Sequence, residues 1–562
     1  MTATLVFDVH DPAFHAQAGY SRAVESETKI MALPNSLSPY ILRVMRSLET
    51  VVKDTSLVRR SHLPAILLIA SLAFCGVAQA DVRLPKVFSS HMVLQQQKPI
   101  VVWGWANPNE TVTVQLATAT EKVQANERGE WKATLPAMTA GGPYTLTVSG
   151  SSTVTFEDVL IGEVWLCSGQ SNMEMGIGQA QNGKQEIANA NYPKIRLLKV
   201  PKRWTPEPQT DIDAEWKVCT PENVAEGGWN GFSAAGYYFG RSLFQKLNVP
   251  IGLIDSTWGG TRIESWTPPE GFAAVPALRA ENERVELANP YSELHQKHLS
   301  EFLDTTSQWV DGARAAMHDH KTIGDMPTFP DELHPPHDVQ NATALFNGMI
   351  SPLCPFALRG AIWYQGEANV GEGMRYFEHM KALIGGWRAI WHEGDFPFYF
   401  VQIAPYNYGG NPQPEAELWE AQTAAQTIPN VGMVVVNDIG NLKDIHPTNK
   451  QEVGRRLALW ALAKTYGQSD VVYSGPTFKS MAIDGDKLRL TFDHVAGGLK
   501  NRDGQPLNWF EIIDADHGGF VKADAQIEGA TVVLSAAGVP HPVAVRFARS
   551  MLAEPNLENG EG

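Results

Sequence analysis

The sequence predicts an α/β protein, with a mostly parallel central sheet and all-β regions before and after it. Three observations predict this. Between Val159 and Gly467, six apolar runs are interleaved with helical segments. Continuous apolar runs, rather than alternating ones, mark strands buried on both faces. From Asp81 to about residue 158, short segments alternate apolar and polar residues, as in Val112-Thr113-Val114-Gln115-Leu116, which is the pattern of half-buried antiparallel strands. Similar short strands return from about residue 468. A chain of 562 residues also exceeds what one hydrophobic core serves, so several domains are expected.

Residues 1–58 have no clear periodicity and read as an extension, with Met45 as an alternative start. Arg59-Arg60-Ser61-His62, the apolar run LPAILLIASLAFCGV (63–77) and Ala78-Gln79-Ala80 then follow. A basic segment, a short apolar core and a small-x-small site form a secretory signal, placing the signal at 59–80 and the mature start at Asp81. The run is too short for a membrane span, which takes about 20 apolar residues. Phe74 before Cys75 is too bulky for lipoprotein processing. The protein is therefore expected to be exported, periplasmic or secreted, with no membrane attachment once the signal is cleaved.

Residues 81–158 read as a β-sandwich: MVLQQ, IVVWGWA, TVTVQLA, EWKATLP, YTLTVSG and STVTF, separated by turns such as Asn107-Pro108-Asn109. The central unit, 159–467, has its strands at VLIGEVWLC, IRLLKV, IGLIDSTW, LRGAIWYQ, FYFVQIAP and VGMVVVND. An insertion at about 276–338 begins helical and ends in the loop PTFPDELHPPHD. The helix KQEVGRRLALWALAKTYG (450–467) closes the unit, with Val453, Leu457, Trp460 and Ala461 on one face. Residues 468–562 are a second β region ending in a polar tail, LAEPNLENGEG, without a core pattern.

Composition excludes some functions. A formal charge of −16 and the lack of a basic block argue against a phosphate backbone as partner, so no nucleic acid is expected. Cys167, Cys219 and Cys354 remain after signal cleavage, without a CxxC pair, so at most one disulfide can form. Two histidine-rich stretches, 317–320 and 331–338, lack the spacing of a zinc motif and read as solvated or gating loop.

Open parallel α/β sheets bind ligands beyond the carboxyl ends of their strands. Those ends carry Ser168-Gly169-Gln170-Ser171-Asn172, Trp258-Gly259-Gly260-Thr261-Arg262, Gln365-Gly366-Glu367-Ala368-Asn369, and Asp438 with Asp444-Ile445-His446. Each piece has a plain reading alone: a helix cap, a turn, a core amide, a loop histidine. Together on one rim they supply a nucleophile, a base and oxyanion donors, the parts of an acyl-transfer site. Trp258, Trp266, Trp363 and Tyr364 beside these motifs are either sugar-stacking faces or core.

The blocks GQSNMEM, WGGTRIESW, FNGMISPL, WYQGEAN and DIHPTNKQEVGRRLA resemble, in order, the sialate O-acetylesterase family of the SGNH (GDSL-like) hydrolases. The similarity runs from about Leu84 to Arg549. It implies a flavodoxin-like three-layer central domain, hydrolysis of O-acetyl groups on sugars, and no metal or organic cofactor. By position it makes Ser171 the nucleophile and His446 the base. It assigns the oxyanion hole to Ser171 N–H, an N–H of Gly259 or Gly260, and the Gln365 side chain. Many members of the superfamily place an asparagine where Gln365 stands, and an aspartate three residues before the histidine, where this chain has Lys443. Asp444, two residues before, is then the expected orienting carboxylate, with Asp438 and Glu367 as rivals. Asn172, Arg262, Glu367 and Asn369 are expected to touch substrate. The sugar stays open between acetylated sialic acid and acetylated xylan. A broader esterase or thioesterase, or a non-catalytic sugar-binding protein, are the alternatives.

Overall fold

The computed structural model describes residues 81–562 apart from Pro412 and His517. The expected signal peptide and the 1–58 extension lie outside the described residues. Strands β1 (Val93–Gln95), β2 (Ile100–Trp105), β3 (Thr111–Leu116), β4 (Ala119–Gln124), β5 (Glu130–Leu135) and β6 (Gly141–Ser149) form the first β region. In β3 and β5, alternate residues such as Val112, Val114, Trp131 and Ala133 are buried, as their period-2 pattern requires.

The 17-residue strand β7 (Thr153–Gly169) crosses the expected domain boundary as one strand, with a bulge at Asp158, φ 54°, where its register against β6 shifts. Its first half pairs antiparallel with β6, from Ser149 opposite Thr153 to Gly141 opposite Ile161. Its second half is the middle of the central sheet. The other members are β8 (Tyr192–Lys199), β9 (Lys217–Cys219), β10 (Ile251–Thr257), β11 (Gly360–Tyr364), β12 (Phe398–Val401) and β13 (Val431–Val434), in the order β13-β12-β11-β7-β10-β8-β9. All pairs are parallel except β8–β9. β9 is a short antiparallel edge strand that its three residues did not announce.

Neighbouring residues of β7 enter different cores. Val164 and Leu166 pack with Met380 and Leu383 of α3 and Leu418 of α4, whereas Trp165 and Cys167 pack with Tyr238 and Phe239 of α2 and Leu457 of α5. The helices named are α2 (Ala234–Leu247), α3 (Arg375–Trp391), α4 (Gln413–Ala425) and α5 (Lys450–Trp460), while α1 (Ser171–Glu174) is the short turn that follows β7. Two-sided burial is why these strands carry unbroken apolar runs. Val453, Leu457 and Ala461 are buried as their spacing predicts. The insertion begins with the helices Arg279–Ala288 and Glu293–His318.

Beyond residue 468, the order Thr477–Asp484, Lys487–Asp493, Thr531–Ser535, Asp524–Glu528 forms one sheet, with smaller sheets beside it. The tail corrects an expectation. Leu557–Asn559 pairs antiparallel with Leu499–Asn501. Asn559 is 1% exposed, and its amide donates to Ser474 O at 3.0 Å and His494 O at 2.9 Å. This docking runs through backbone and amide hydrogen bonds, which leave no apolar period to read. Cys167, Cys219 and Cys354 are free thiols. No helix among the described residues is long and apolar enough to cross a membrane.

Candidate active site

Gly169 ends β7 at φ 136°, and a Cβ there would lie 2.2 Å from Tyr364 O. Only glycine allows this turn to sit against β11. Gln170 then ties the two loops together. Its N–H donates to Tyr364 O (3.0 Å), and its Oε1 accepts from Gly366 N (3.3 Å) and Ala368 N (3.2 Å). Ser171 opens α1, partly exposed, and its Oγ lies 2.9 Å from His446 Nε2. The structure thus brings together the serine and histidine singled out from opposite ends of the central unit.

Asn172 holds that pair in register. Fully buried, it donates to Ile445 O (2.9 Å), next to the histidine, and to Glu367 Oε1 (2.5 Å). Its Oδ1 accepts from Lys450 Nζ (2.6 Å). Lys450 is a buried cation that the sequence reading passed over, although it closes the DIHPTNK block. Burial pushes its ammonium down to about 7, against the pull of Glu367 and Asp444. Burial, and then the Lys450 charge, hold the His446 imidazole below its ordinary pKa, while Asp444 and Glu174 pull it back up. A neutral imidazole at neutral pH is able to accept a proton.

Asp444 lies where expected, but its Oδ1 is 3.8 Å from His446 Nδ1, beyond hydrogen-bond reach. That oxygen instead accepts the His446 backbone N–H at 2.9 Å, and the side chain is 55% exposed. Both rivals are committed elsewhere. Asp438 takes the Arg456 guanidinium on both oxygens, at 2.7 and 2.6 Å. Glu367 accepts from Asn172, and burial raises its pKa.

Two of the expected oxyanion donors are corrected. Gln365 is fully buried, its amide donates to Thr261 O (3.1 Å) and Asn369 Oδ1 (2.6 Å), and its Oε1 accepts from Tyr376 Oη (2.8 Å). Every hydrogen of that amide is used inside the protein. The Gly259 N–H donates to Glu174 Oε2 at 2.6 Å, and Glu174 in turn pairs with Lys202 at 2.5 Å. The N–H groups of Ser171 and Gly260 have no hydrogen-bond partner among the described residues. Gly260 is exposed at φ 74°.

The expected substrate contacts are also mostly internal. Asn172 and Asn369 are inaccessible, and Glu367 is 9% exposed. Asn369 donates to Glu264 (2.9 Å) and Glu372 (3.0 Å). Arg262, partly exposed, spans Glu264 at 2.8 Å and Glu372. With His379, these two carboxylates place one ligand atom each within 4.8 Å of one another. The Arg262 guanidinium and the Asn369 amide already occupy that acidic cluster. The histidines of 317–320 and 331–338 are not in it: His318 pairs with Asp319 (3.1 Å), and His337 faces Pro335 O (3.3 Å). Trp266, Trp363 and Tyr364 are buried core, whereas Trp258 stays partly exposed at the rim beneath Lys202. Trp229, not singled out from the sequence, stands edge to face against His446 with ring centroids 4.8 Å apart. Its setting, GGWNG, reads only as a turn.

A parallel α/β sheet with a serine on a tight strand-to-helix turn, and a histidine 2.9 Å from its oxygen, has the arrangement that acyl transfer through a serine requires. Comparison with known proteins makes this narrower. Residues 161–289 and 339–463 match the model of the family described as carbohydrate esterase, sialic acid-specific acetylesterase. The chain is 31% identical to the sialate O-acetylesterase of Rattus norvegicus over 73% of its own length and 79% of the relative's. The same enzyme of Homo sapiens is 31% identical, over 73% of this chain and 76% of that one. Among solved structures, a carbohydrate acetylesterase from Xanthomonas citri superposes with a TM-score of 0.71 at 36% identity, covering 86% of this chain and 97% of that one. The chain belongs to the sialate O-acetylesterase family of carbohydrate esterases.

Proposed function

We propose that this protein removes O-acetyl groups from carbohydrates through an acetyl-Ser171 intermediate. The observation that carries the mechanism is the 2.9 Å contact between Ser171 Oγ and His446 Nε2. His446 takes the hydroxyl proton as Oγ attacks the acetyl carbonyl. The oxyanion is met by the N–H groups of Ser171 and Gly260, both without a hydrogen-bond partner among the described residues. The sugar oxygen leaves with the proton from His446, and water then hydrolyses the acetyl-serine by the same route in reverse. Asp444 acts as a nearby charge on the Nδ1 side. Gln365, Asn369, Asn172 and Lys450 position this machinery from beneath.

The fold is read as the flavodoxin-like three-layer SGNH domain, supported by the parallel sheet and the two cores on its faces. Export is supported by the basic, apolar and small-residue order of 59–80. Sialic acid is the sugar supported by the mammalian relatives, and the Xanthomonas protein keeps the wider class of acetylated carbohydrates in view.

The test is acetate release from O-acetylated sialic acid and from acetylated xylan, side by side, with wild type and Ser171→Ala. Losing the nucleophile is expected to lower kcat on the order of 10⁶-fold. Retention of more than a few per cent of activity would overturn the assignment.

A further inference from the structure

We propose that Trp229 is the platform on which the sugar ring of the substrate rests, and thus a specificity-determining residue. The proposal rests on the carbohydrate esterase reading above. In that chemistry the leaving oxygen must come within hydrogen-bond reach of His446 Nε2, because the histidine protonates it. The ring, which bears this oxygen directly or through a short exocyclic chain, therefore lies beside the imidazole or a few bonds from it. Trp229 is the aromatic surface there, 4.8 Å from the His446 ring centroid with the planes at 77°.

Three further features fit a binding face better than a packing role. The Trp229 side chain is left open, with the residue 37% exposed. Its indole N–H has no acceptor among the described residues, so it is free to donate to a sugar hydroxyl. Its backbone sits at φ 49°, a conformation that bulky residues rarely adopt and that persists where the surroundings hold it.

Those surroundings are well defined. Gly176 N donates to Trp229 O (3.3 Å), Gly178 N to Asn230 O (3.1 Å), and Lys199 Nζ to Gly231 O (2.5 Å). A Cβ on Gly176 would fall 2.3 Å from Asn230 O, so glycine is needed for the two segments to meet. The segment braced in this way follows α1 directly. The loop that presents Trp229 is thus fastened to the chain that presents Ser171. An amphipathic indole of this kind offers an apolar face to ring C–H groups and a donor at its edge.

The experiment compares full-length wild type, Trp229→Ala, Trp229→Phe and Trp204→Ala. Trp204 is equally exposed, at 37%, and makes no ring contact with His446, so it serves as the control. Substrates are an O-acetylated sugar and ethyl acetate, whose leaving alcohol has no ring. Trp229→Ala is expected to raise KM for the acetylated sugar about ten-fold, and to lower kcat/KM for it at least about five-fold more than kcat/KM for ethyl acetate. Trp229→Phe should recover most of the loss, and Trp204→Ala should behave as wild type. An equal loss on both substrates would overturn the proposal, because Trp229 would then act only by packing on His446. An unchanged KM for the sugar would overturn it as well. If wild type cleaves ethyl acetate but no acetylated sugar, the carbohydrate reading itself fails and the platform falls with it. Thermal melting of each variant separates all of these from misfolding.

Discussion

Replacing Gln365 with alanine separates two roles that the same side chain could play. As an oxyanion donor it would contribute to turnover and little to folding. Removing one such donor typically costs 10²–10³-fold in kcat, about 3–4 kcal/mol of transition-state stabilisation. The structure points the other way. The residue is inaccessible, and its amide bonds Thr261 O at 3.1 Å, Asn369 Oδ1 at 2.6 Å and Tyr376 Oη at 2.8 Å. Truncation leaves Thr261 O without that donor, at about 1–3 kcal/mol, takes one bond each from Asn369 Oδ1 and Tyr376 Oη, which keep Ile263 N–H and Gln365 O, and opens a small cavity. These terms overlap because the partners share one network, so a total of about 3–5 kcal/mol is expected. That corresponds to a fall in Tm of about 3–5 °C for a unit of this size. The assay pairs calorimetric melting with kcat measured well below the melting range. Gln365→Ala should lose that stability and keep kcat within about ten-fold of wild type. A kcat loss of 10²–10³-fold at unchanged Tm would refute the reasoning and return the amide to the oxyanion.

The remaining predictions concern the charges around the site. Asp444→Asn is expected to lower kcat only about ten-fold, because its carboxylate is half-exposed and 3.8 Å from Nδ1; a loss near 10⁴, as for a buried hydrogen-bonded triad aspartate, would contradict this. Lys450→Met removes a cation that depresses the His446 pKa, so the acid limb of the kcat/KM profile should move to higher pH. Turnover should also fall about ten-fold as Asn172 loses its anchor, and an unmoved limb would argue against the coupling. Burial, with repulsion from Glu367, pushes Glu415 up to about 9 from an ordinary 4.5. The folded protein therefore holds a proton that the unfolded chain releases. The stability linked to it is complete below about 4.5 and is lost as pH rises towards about 9. Glu415→Gln should raise Tm by about 2 °C or more at pH 8 relative to pH 5, and an equal change at both pH values would count against it.

How much of this was legible depends on what kind of information each feature carries. The strands of the central sheet were readable because burial on both faces forces unbroken apolar runs, as in Ile251–Ile254. Ser171 and His446 were readable because they follow such strands within distinctive blocks. Gln365 is a different case, because its block marks its position whereas its hydrogen bonds to Thr261 and Asn369 leave no trace in the sequence. Residue type names a donor, whereas only coordinates reveal that Thr261 and Asn369 already hold its hydrogens. Gly259 is the same case, since nothing in the chain places Glu174 on its N–H. Trp229 escaped notice because a glycine-flanked tryptophan carries no period, and its partner lies more than two hundred residues away. The tail escaped because Asn556 and Asn559 are buried by hydrogen bonding, which hydrophobic patterning does not register.

The uninterrupted course of β7 has a consequence for how this protein can be taken apart. Its 17 residues carry the front β region at one end and the reactive serine just past the other, with a single bulge at Asp158 between them. No loop interrupts it between Thr153 and Gly169. Trimming the chain at residue 159, an attractive boundary on paper, would cut through that strand and remove β1, which pairs with Leu160, Ile161 and Gly162 of its second half. The front region is therefore a buttress, and a chimera that exchanges it must carry the replacement's own last strand through to Gly169.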